Sequence, residues 1–146
     1  MKKKVFYSIL IILLLLQLIP INRTNPIVES DLIASEKIKS IFKKSCYDCH
    51  SNETKYPVYS YIFPVSLFLA HHIEEARDEL NFSNWEALSV SKKSTKAKEI
   101  IEEIEEKEMP LLSYTLMHRE AILSSEEIEE IKKWAEEIQN KNEANQ

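Results

Sequence analysis

The sequence predicts an all-α fold in a single small domain. Apolar residues recur at helical spacing in four separate segments, whereas no segment alternates apolar and polar residues for long enough to form a sheet. The 146 residues contain no internal repeat and no glycine, so any turn that needs a positive φ angle must use Asn, Asp or another residue. A chain of this length has room for one domain with a usable core.

The N-terminus predicts a transmembrane anchor. Three lysines at positions 2–4 precede an apolar run from Val5 to Ile21, which as a helix spans roughly 25 Å. No small-residue cleavage site follows this run, so the pattern favours an uncleaved anchor over residues 1–23 above a secretory signal segment. The lysines predict a cytoplasmic N-terminus, which makes the protein single-pass, with the rest of the chain on the periplasmic, extracytoplasmic side of the cytoplasmic membrane.

The chain after this segment is acidic. Residues 1–23 contain four of the 19 basic residues and none of the 24 acidic ones, so the remainder carries a formal net charge of −9. This charge argues against nucleic acid and anionic membrane surfaces as partners of the domain, and favours proteins with basic docking surfaces.

The first half of the exported part is predicted to contain two helices. Residues 24–30 are expected to be a short tether. The first helix is predicted over residues 31–44, with Ser30 as its N-cap. A tyrosine-rich loop follows, and the second helix is predicted over residues 65–80, because Pro64 suits a first turn that needs no amide donor.

Two further helices complete the predicted domain, which covers residues 31–139. The third is predicted over residues 95–107 and ends before a proline. The last has the clearest start, since Ser124 with Glu127 three residues later forms a capping box. Residues 140–146 are predicted to be a disordered tail.

The first helix leads directly into a Cys-x-x-Cys-His motif, Cys46-Tyr47-Asp48-Cys49-His50. Two thiols at this spacing suit the capture of both vinyl groups of one haem as thioethers, while the adjacent imidazole binds the iron. A disulfide, a thioredoxin-like redox pair and half of a zinc site are the alternatives. The redox pair needs a preceding strand, and the zinc site lacks a second cysteine pair. The motif therefore predicts one covalent haem c held by Cys46, Cys49 and His50.

Met109 is predicted to be the sixth ligand of the haem iron. It ends the third helix and precedes a proline, so a rigid loop can carry its thioether over the haem; ordinary core packing is the alternative role. His72 is the alternative sixth ligand, because it falls on the apolar face of the second helix. Met117 and His118 are expected to pack in a loop, and His71 to be solvated.

Arg77 and the tyrosines at positions 56, 59 and 61 are candidates for contact with the haem propionates. A porphyrin with two carboxylates needs both cationic and aromatic neighbours. A surface salt bridge of Arg77 with Glu74 or Asp78, together with aromatic packing of the tyrosines, accounts for the same residues equally well.

In several of these residues the chain resembles a known family, that of the small bacterial haem-binding domain proteins of the cytochrome c type. Besides the haem motif, the resemblance rests on Ser51-Asn52-Glu53-Thr54, Tyr56-Pro57, Pro64-Val65-Ser66, His72-Ile73, Leu80-Asn81-Phe82-Ser83, Met109-Pro110, Tyr114 and His118. It implies a cytochrome c-like helical domain. In such a domain an N-terminal helix directly precedes the haem motif, a Met-Pro segment lies over the haem, and the C-terminal helix packs against the N-terminal one.

The sequence thus predicts a membrane-tethered c-type cytochrome that carries one electron at a time between redox partner proteins and has no catalytic residues. A haem-based peroxidase, or a gas or redox sensor with an open or labile sixth position, is an alternative. A haem-binding subunit of a larger respiratory complex is another.

Overall fold

The computed structural model describes residues 2–144, which fold into helices with no strand among them. The α-helices are α1 (Lys2–Leu16), α2 (Glu36–Ser45), α3 (Tyr47–His50), α4 (Val65–Glu79), α5 (Val90–Glu105), α6 (Leu112–Thr115) and α7 (Ser125–Glu143). Short 3₁₀ helices are Val58–Tyr61, Phe82–Ala87 and Arg119–Ala121. The helical part of the predicted fold class is therefore confirmed. Met1 of the predicted anchor, and residues 145 and 146 of the predicted tail, lie outside the described residues.

The predicted transmembrane anchor is wrong. The apolar run does not continue as one helix, because α1 ends at Leu16 and the next three amides bond to carbonyls only three residues back. Pro20 then has no amide to donate. With 15 residues, α1 is about 22 Å long, whereas the hydrocarbon core of a bilayer is about 30 Å thick. Within residues 2–144, no helix combines the length and the hydropathy needed to cross a membrane. The extracytoplasmic location stays a prediction.

Helix α2 begins later than predicted. Residues 30–32 are not helical, and their backbone bonds to the 3₁₀ helix Phe82–Ala87: the amides of Ser30 and Leu32 donate to Ser83 and Phe82, and the carbonyl of Ser30 accepts the amide of Glu86. Ser35, rather than Ser30, caps the helix, and its hydroxyl accepts the amide of Ile38. The carbonyl of Ser30 would accept the first bond of a helix that Ser30 capped, and a tertiary contact uses it instead.

The buried face of α4 also differs from the prediction. The apolar face predicted from the helical spacing comprises Val65, Phe68, Leu69, Ile73, Ala76 and Leu80. Ile73 is buried as predicted, whereas Val65 and Phe68 are exposed, and Ser66, which was not predicted, is buried. Helix α5 starts five residues earlier than predicted, at Val90, with Ser89 as its N-cap. Its first turns are polar, so an apolar pattern could not reveal them.

The predicted capping box at the start of α7 is confirmed. Ser124 accepts the backbone amide of Glu127, and the Glu127 carboxylate accepts the amide of Ser124. The helix continues to Glu143, through four residues that were predicted to belong to the tail.

An aromatic core joins the first and last helices of the domain. Phe42 of α2 contacts Phe82 with ring centroids 4.7 Å apart, and Trp134 of α7 at 4.9 Å. Trp85 lies 5.3 Å from Trp134, and Tyr47 stacks on Phe82 at 5.2 Å. Helices α5 and α7 pack on each other beside this cluster. The C-terminal helix thus packs on the helix that precedes the Cys46 motif, as the family resemblance implies.

The end of α5 sets the path of the chain into Met109. Lys107 has a φ angle of 63°, and its amide donates to the carbonyl of Ile104. The amides of Glu108 and Met109 both donate to the carbonyl of Glu103. These bonds form a Schellman-type end, in which the left-handed residue is usually glycine.

Replacing Lys107 by glycine should raise the free energy of unfolding by roughly 1 kcal/mol, because glycine removes the clash of the Cβ atom with the carbonyl oxygen in the left-handed region. Lys107→Ala is the control, since it removes the charge but keeps Cβ, and should change stability by less than about 0.5 kcal/mol. Urea denaturation of the three proteins measures both effects. An Ala variant as stabilised as the Gly variant would contradict this explanation.

Candidate functional site

The Cys46 motif forms one helical turn at the end of α2. The amide of Cys46 donates to Phe42, and the amides of Cys49 and His50 both donate to the carbonyl of Cys46. Positions 46, 49 and 50 therefore share one face of the turn. Tyr47 lies on another face and is only 2% exposed, in the aromatic core. Burial of Tyr47 turns the two thiols and the imidazole toward a cleft.

The imidazole of His50 is oriented by the C-terminal end of α4. Its Nδ1 atom lies 3.0 Å from the carbonyl oxygen of Ala76 and 3.1 Å from that of Leu80. Carbonyl oxygens only accept hydrogen bonds, so Nδ1 carries the hydrogen and Nε2 keeps the lone pair. Burial lowers the pKa of His50 despite these contacts, which favours the neutral ring. A neutral imidazole whose Nδ1 is held by carbonyls is the usual state of a histidine that binds a metal through Nε2.

Two adjoining cavities make up the cleft in front of the motif. One has a volume of about 350 Å³ and the other of about 310 Å³, both within the range of small-molecule sites. Cys46, His50 and Met109 line both cavities, and Cys49 lines the second. The first is walled by apolar side chains of α5, chiefly Ile100 and Ile104. The cleft thus offers two thiols, an imidazole, a thioether and an apolar wall, groups whose chemistry fits a haem.

The environment of the two thiols is unlike that of a redox pair. The cysteines are not joined by a disulfide. Desolvation raises the pKa of Cys46 to about 12 and that of Cys49 to about 11. Reactive Cys-x-x-Cys pairs have a lowered pKa, so the shift here is in the opposite direction.

The structure brings both candidates for the sixth ligand to the cleft. Met109 lines both cavities, whereas His72 lines only the second. The Nδ1 atom of His72 lies 3.1 Å from the carbonyl of Phe68 in its own helix. Met117 is 66% exposed and lines neither cavity, and the His71 side chain is exposed beside Glu75. Position alone therefore favours Met109 over the other methionine, and keeps His72 as the alternative.

Arg77 does not line the cleft. Its Nε donates to the carbonyl of Ser51, and its Nη2 donates to Asn25 and Thr54, each at 2.8 Å. Through these three bonds, Arg77 connects α4 to the loop after the motif and to the segment before α2. Among the described residues, Arg77 forms no salt bridge with Glu74 or Asp78, and its contact with a haem propionate stays a prediction.

A contact between Asp48 and Tyr114 was not anticipated from the sequence. The Tyr114 hydroxyl donates to Oδ2 of Asp48 at 2.8 Å, and desolvation raises the pKa of Tyr114, which keeps it a donor. Asp48 is one of the two variable positions of the motif, so the motif itself gave no reason to select it. Only the presence of Tyr114 among the residues of the family resemblance pointed to this contact.

The lining of the cleft is acidic. Carboxylates at positions 48, 75, 79, 99 and 103 line the two cavities. Lys96 is the one Lys or Arg among the described lining residues, and it pairs with Glu99 at 2.7 Å and Glu79 at 3.8 Å. The hydroxyl of Ser45 is buried, lines both cavities and has no hydrogen-bond partner in the described chain. The cleft therefore attracts cations and keeps a hydroxyl available to a ligand.

One of three comparisons with known proteins found a match. A family model described as a haem-binding domain matches residues 11–137. No curated protein and no solved structure matched the chain. In the described part of the chain, no three His, Cys, Asp or Glu side chains are grouped so as to hold a bare metal ion.

Proposed function

Because the chain belongs to the family of haem-binding domain proteins, we propose that it is a c-type cytochrome that carries one electron at a time on a single covalently bound haem. Haem supplies the one-electron couple between Fe(III) and Fe(II). The protein would supply the attachment, the iron ligands and a cleft with an apolar wall.

The observation that carries the proposal is the meeting of Cys46, His50 and Met109 at one cleft. Met109 follows the Cys46 motif by about 60 positions in the chain, and the fold brings it to the same two cavities as Cys46 and His50. His50 and Met109 would hold the iron of a bound haem through a nitrogen and a sulfur. An iron held by two protein ligands would suit electron transfer, since no external ligand is needed.

Cys46 and Cys49 hold the haem through thioether bonds in this proposal. Each thiol adds across one vinyl group: sulfur bonds to the carbon next to the ring, and the thiol hydrogen goes to the terminal carbon. The addition consumes neither an oxidant nor a reductant. His50 holds the iron through Nε2, because its Nδ1 is already used by the carbonyls of α4.

Partners of the proposed cytochrome dock at the acidic rim of the cleft. Glu75 and Glu79 line the second cavity, and their side chains are 59% and 83% exposed. Exposed carboxylates at this opening draw basic surfaces toward the place where an electron can leave or enter.

Covalent attachment predicts that haem stays on the polypeptide in denaturing electrophoresis. Replacing both Cys46 and Cys49 by alanine should abolish the haem stain, and each single replacement should leave a weaker stain held by one thioether. A double variant that keeps the wild-type stain would show that the haem is attached elsewhere.

Loss of the sixth ligand should be visible in the spectrum. Met109→Ala should abolish the sulfur-to-iron charge-transfer band, lower the midpoint potential and let carbon monoxide bind the reduced protein at least about tenfold faster. Met117→Ala is the matched control, since Met117 lies outside the cleft, and should leave all three unchanged. If Met109→Ala behaves as wild type while His72→Ala opens the iron, His72 is the ligand.

The acidic rim should control reaction with charged redox reagents. In Glu75→Gln/Glu79→Gln, oxidation of the reduced protein by hexaammineruthenium(III) should slow by roughly three- to tenfold at low ionic strength. The effect should largely vanish in 0.5 M salt, where the Debye length is about 4 Å. The control is Glu126→Gln/Glu130→Gln on α7, which removes the same number of negative charges at a place outside the cleft. Equal slowing in both variants would mean that net charge, not the rim, is responsible.

A further inference from the structure

Tyr114 joins the segment that carries Met109 to the Cys46 motif. Tyr114 lies on α6, five residues after Met109, and its hydroxyl donates to Oδ2 of Asp48 at 2.8 Å. Asp48 stands between the two cysteines and directly precedes Cys49. In the part of the chain that the structure describes, this is the one side-chain hydrogen bond between residues 109–118 and residues 46–50.

The Tyr114 ring is held from its other side by His118. The two rings are stacked, with centroids 4.5 Å apart and an interplanar angle of 18°. Nε2 of His118 lies 2.7 Å from the hydroxyl of Tyr59, on the 3₁₀ helix that packs against α4. Moving the Tyr114 ring away from Asp48 therefore also disturbs its stacking on His118.

The Met109 segment has few other attachments near the cleft. On its N-terminal side, the amide of Met109 donates to the carbonyl of Glu103 at 3.1 Å. On its C-terminal side, α6 is a single turn, and Leu112 and Leu116 are exposed. Little apolar burial thus fixes this segment, and its position depends on two polar contacts, of which the bond from Tyr114 to Asp48 is the one nearer to Met109 in the chain and reaches the Cys46 motif.

We propose that Tyr114 is a positioning residue whose hydrogen bond to Asp48 keeps Met109 on the iron. This inference rests on the proposed function, because it takes His50 and Met109 as the axial ligands. The contact ties the segment that supplies one ligand to the turn that supplies the other. Breaking it lets the Met109 segment move outward and opens the sixth position to a diatomic ligand.

The test compares two neighbouring hydroxyls of α6 in the haem-loaded full chain. Tyr114→Phe removes the bond to Asp48. Thr115→Val removes a hydroxyl that donates to carbonyls of its own segment, those of Leu111 and Leu112. Carbon monoxide binding to the reduced protein should be about 10- to 100-fold faster in Tyr114→Phe, the loss expected for a hydrogen bond to a charged group. Thr115→Val should stay within about twofold of wild type. The sulfur-to-iron band should weaken only in Tyr114→Phe.

Variants of Asp48 test the same bond from its acceptor. Asp48→Ala should reproduce fast carbon monoxide binding, whereas Asp48→Asn keeps an acceptor oxygen and should restore slow binding. If Tyr114→Phe does not fold, this pair decides the question. Wild-type rates in both Tyr114→Phe and Asp48→Ala, with the band present in wild type, would overturn the inference alone. A wild-type protein without the band would overturn the His50 and Met109 ligand pair, and the inference with it.

Discussion

The hydrogen bonds of His50 to the end of α4 are the contacts on which the site depends. A helix leaves its last carbonyls without intrahelical donors, and these carbonyls carry the negative end of the helix dipole. Helix α4 ends at Glu79. The carbonyl of Ala76 accepts the amide of the C-cap residue Leu80 and also faces the imidazole of His50, and the carbonyl of Leu80 faces the same imidazole. The two acceptors fix both the tautomer and the ring plane. Any shift in where α4 ends would therefore change the direction of the Nε2 lone pair.

The aromatic core fixes the other side of the same turn. Tyr47 is anchored between Phe82 and the carboxylate of Asp31, and Phe42 lies one helical turn earlier in the same core. Burying an aromatic side chain of this kind contributes about 2–3 kcal/mol. Rotation of the motif would expose Tyr47, so the core holds the face of Cys46, Cys49 and His50 toward the cleft. Packing and site geometry are set by the same residues.

The structural features that were recognised from the sequence depend on residues close together in the chain. Most of those that were missed depend on contacts between residues far apart in the chain. The spacing of Cys46, Cys49 and His50 and the capping box of Ser124 are local patterns, and each was recognised from the residues alone. The start of α2 and the contacts of Arg77 depend on backbone partners far along the chain, which no periodicity contains. The end of α1 was missed for another reason: hydropathy counts apolar residues without regard to whether their amides continue a helix.

A chain without glycine must place its turns within the angles that other residues tolerate. Most connections here use 3₁₀ helices and extended residues, and a positive φ angle occurs once among the described residues, at Lys107. A lysine in the left-handed region costs about 1 kcal/mol, and such strain persists only where the surroundings enforce it. Lys107 stands two residues before Met109, and the reversal that it makes returns the chain from α5 to the cleft. The strain is therefore located where the chain turns from α5 toward the cleft, and it sets the direction in which Met109, the proposed ligand, enters the cleft.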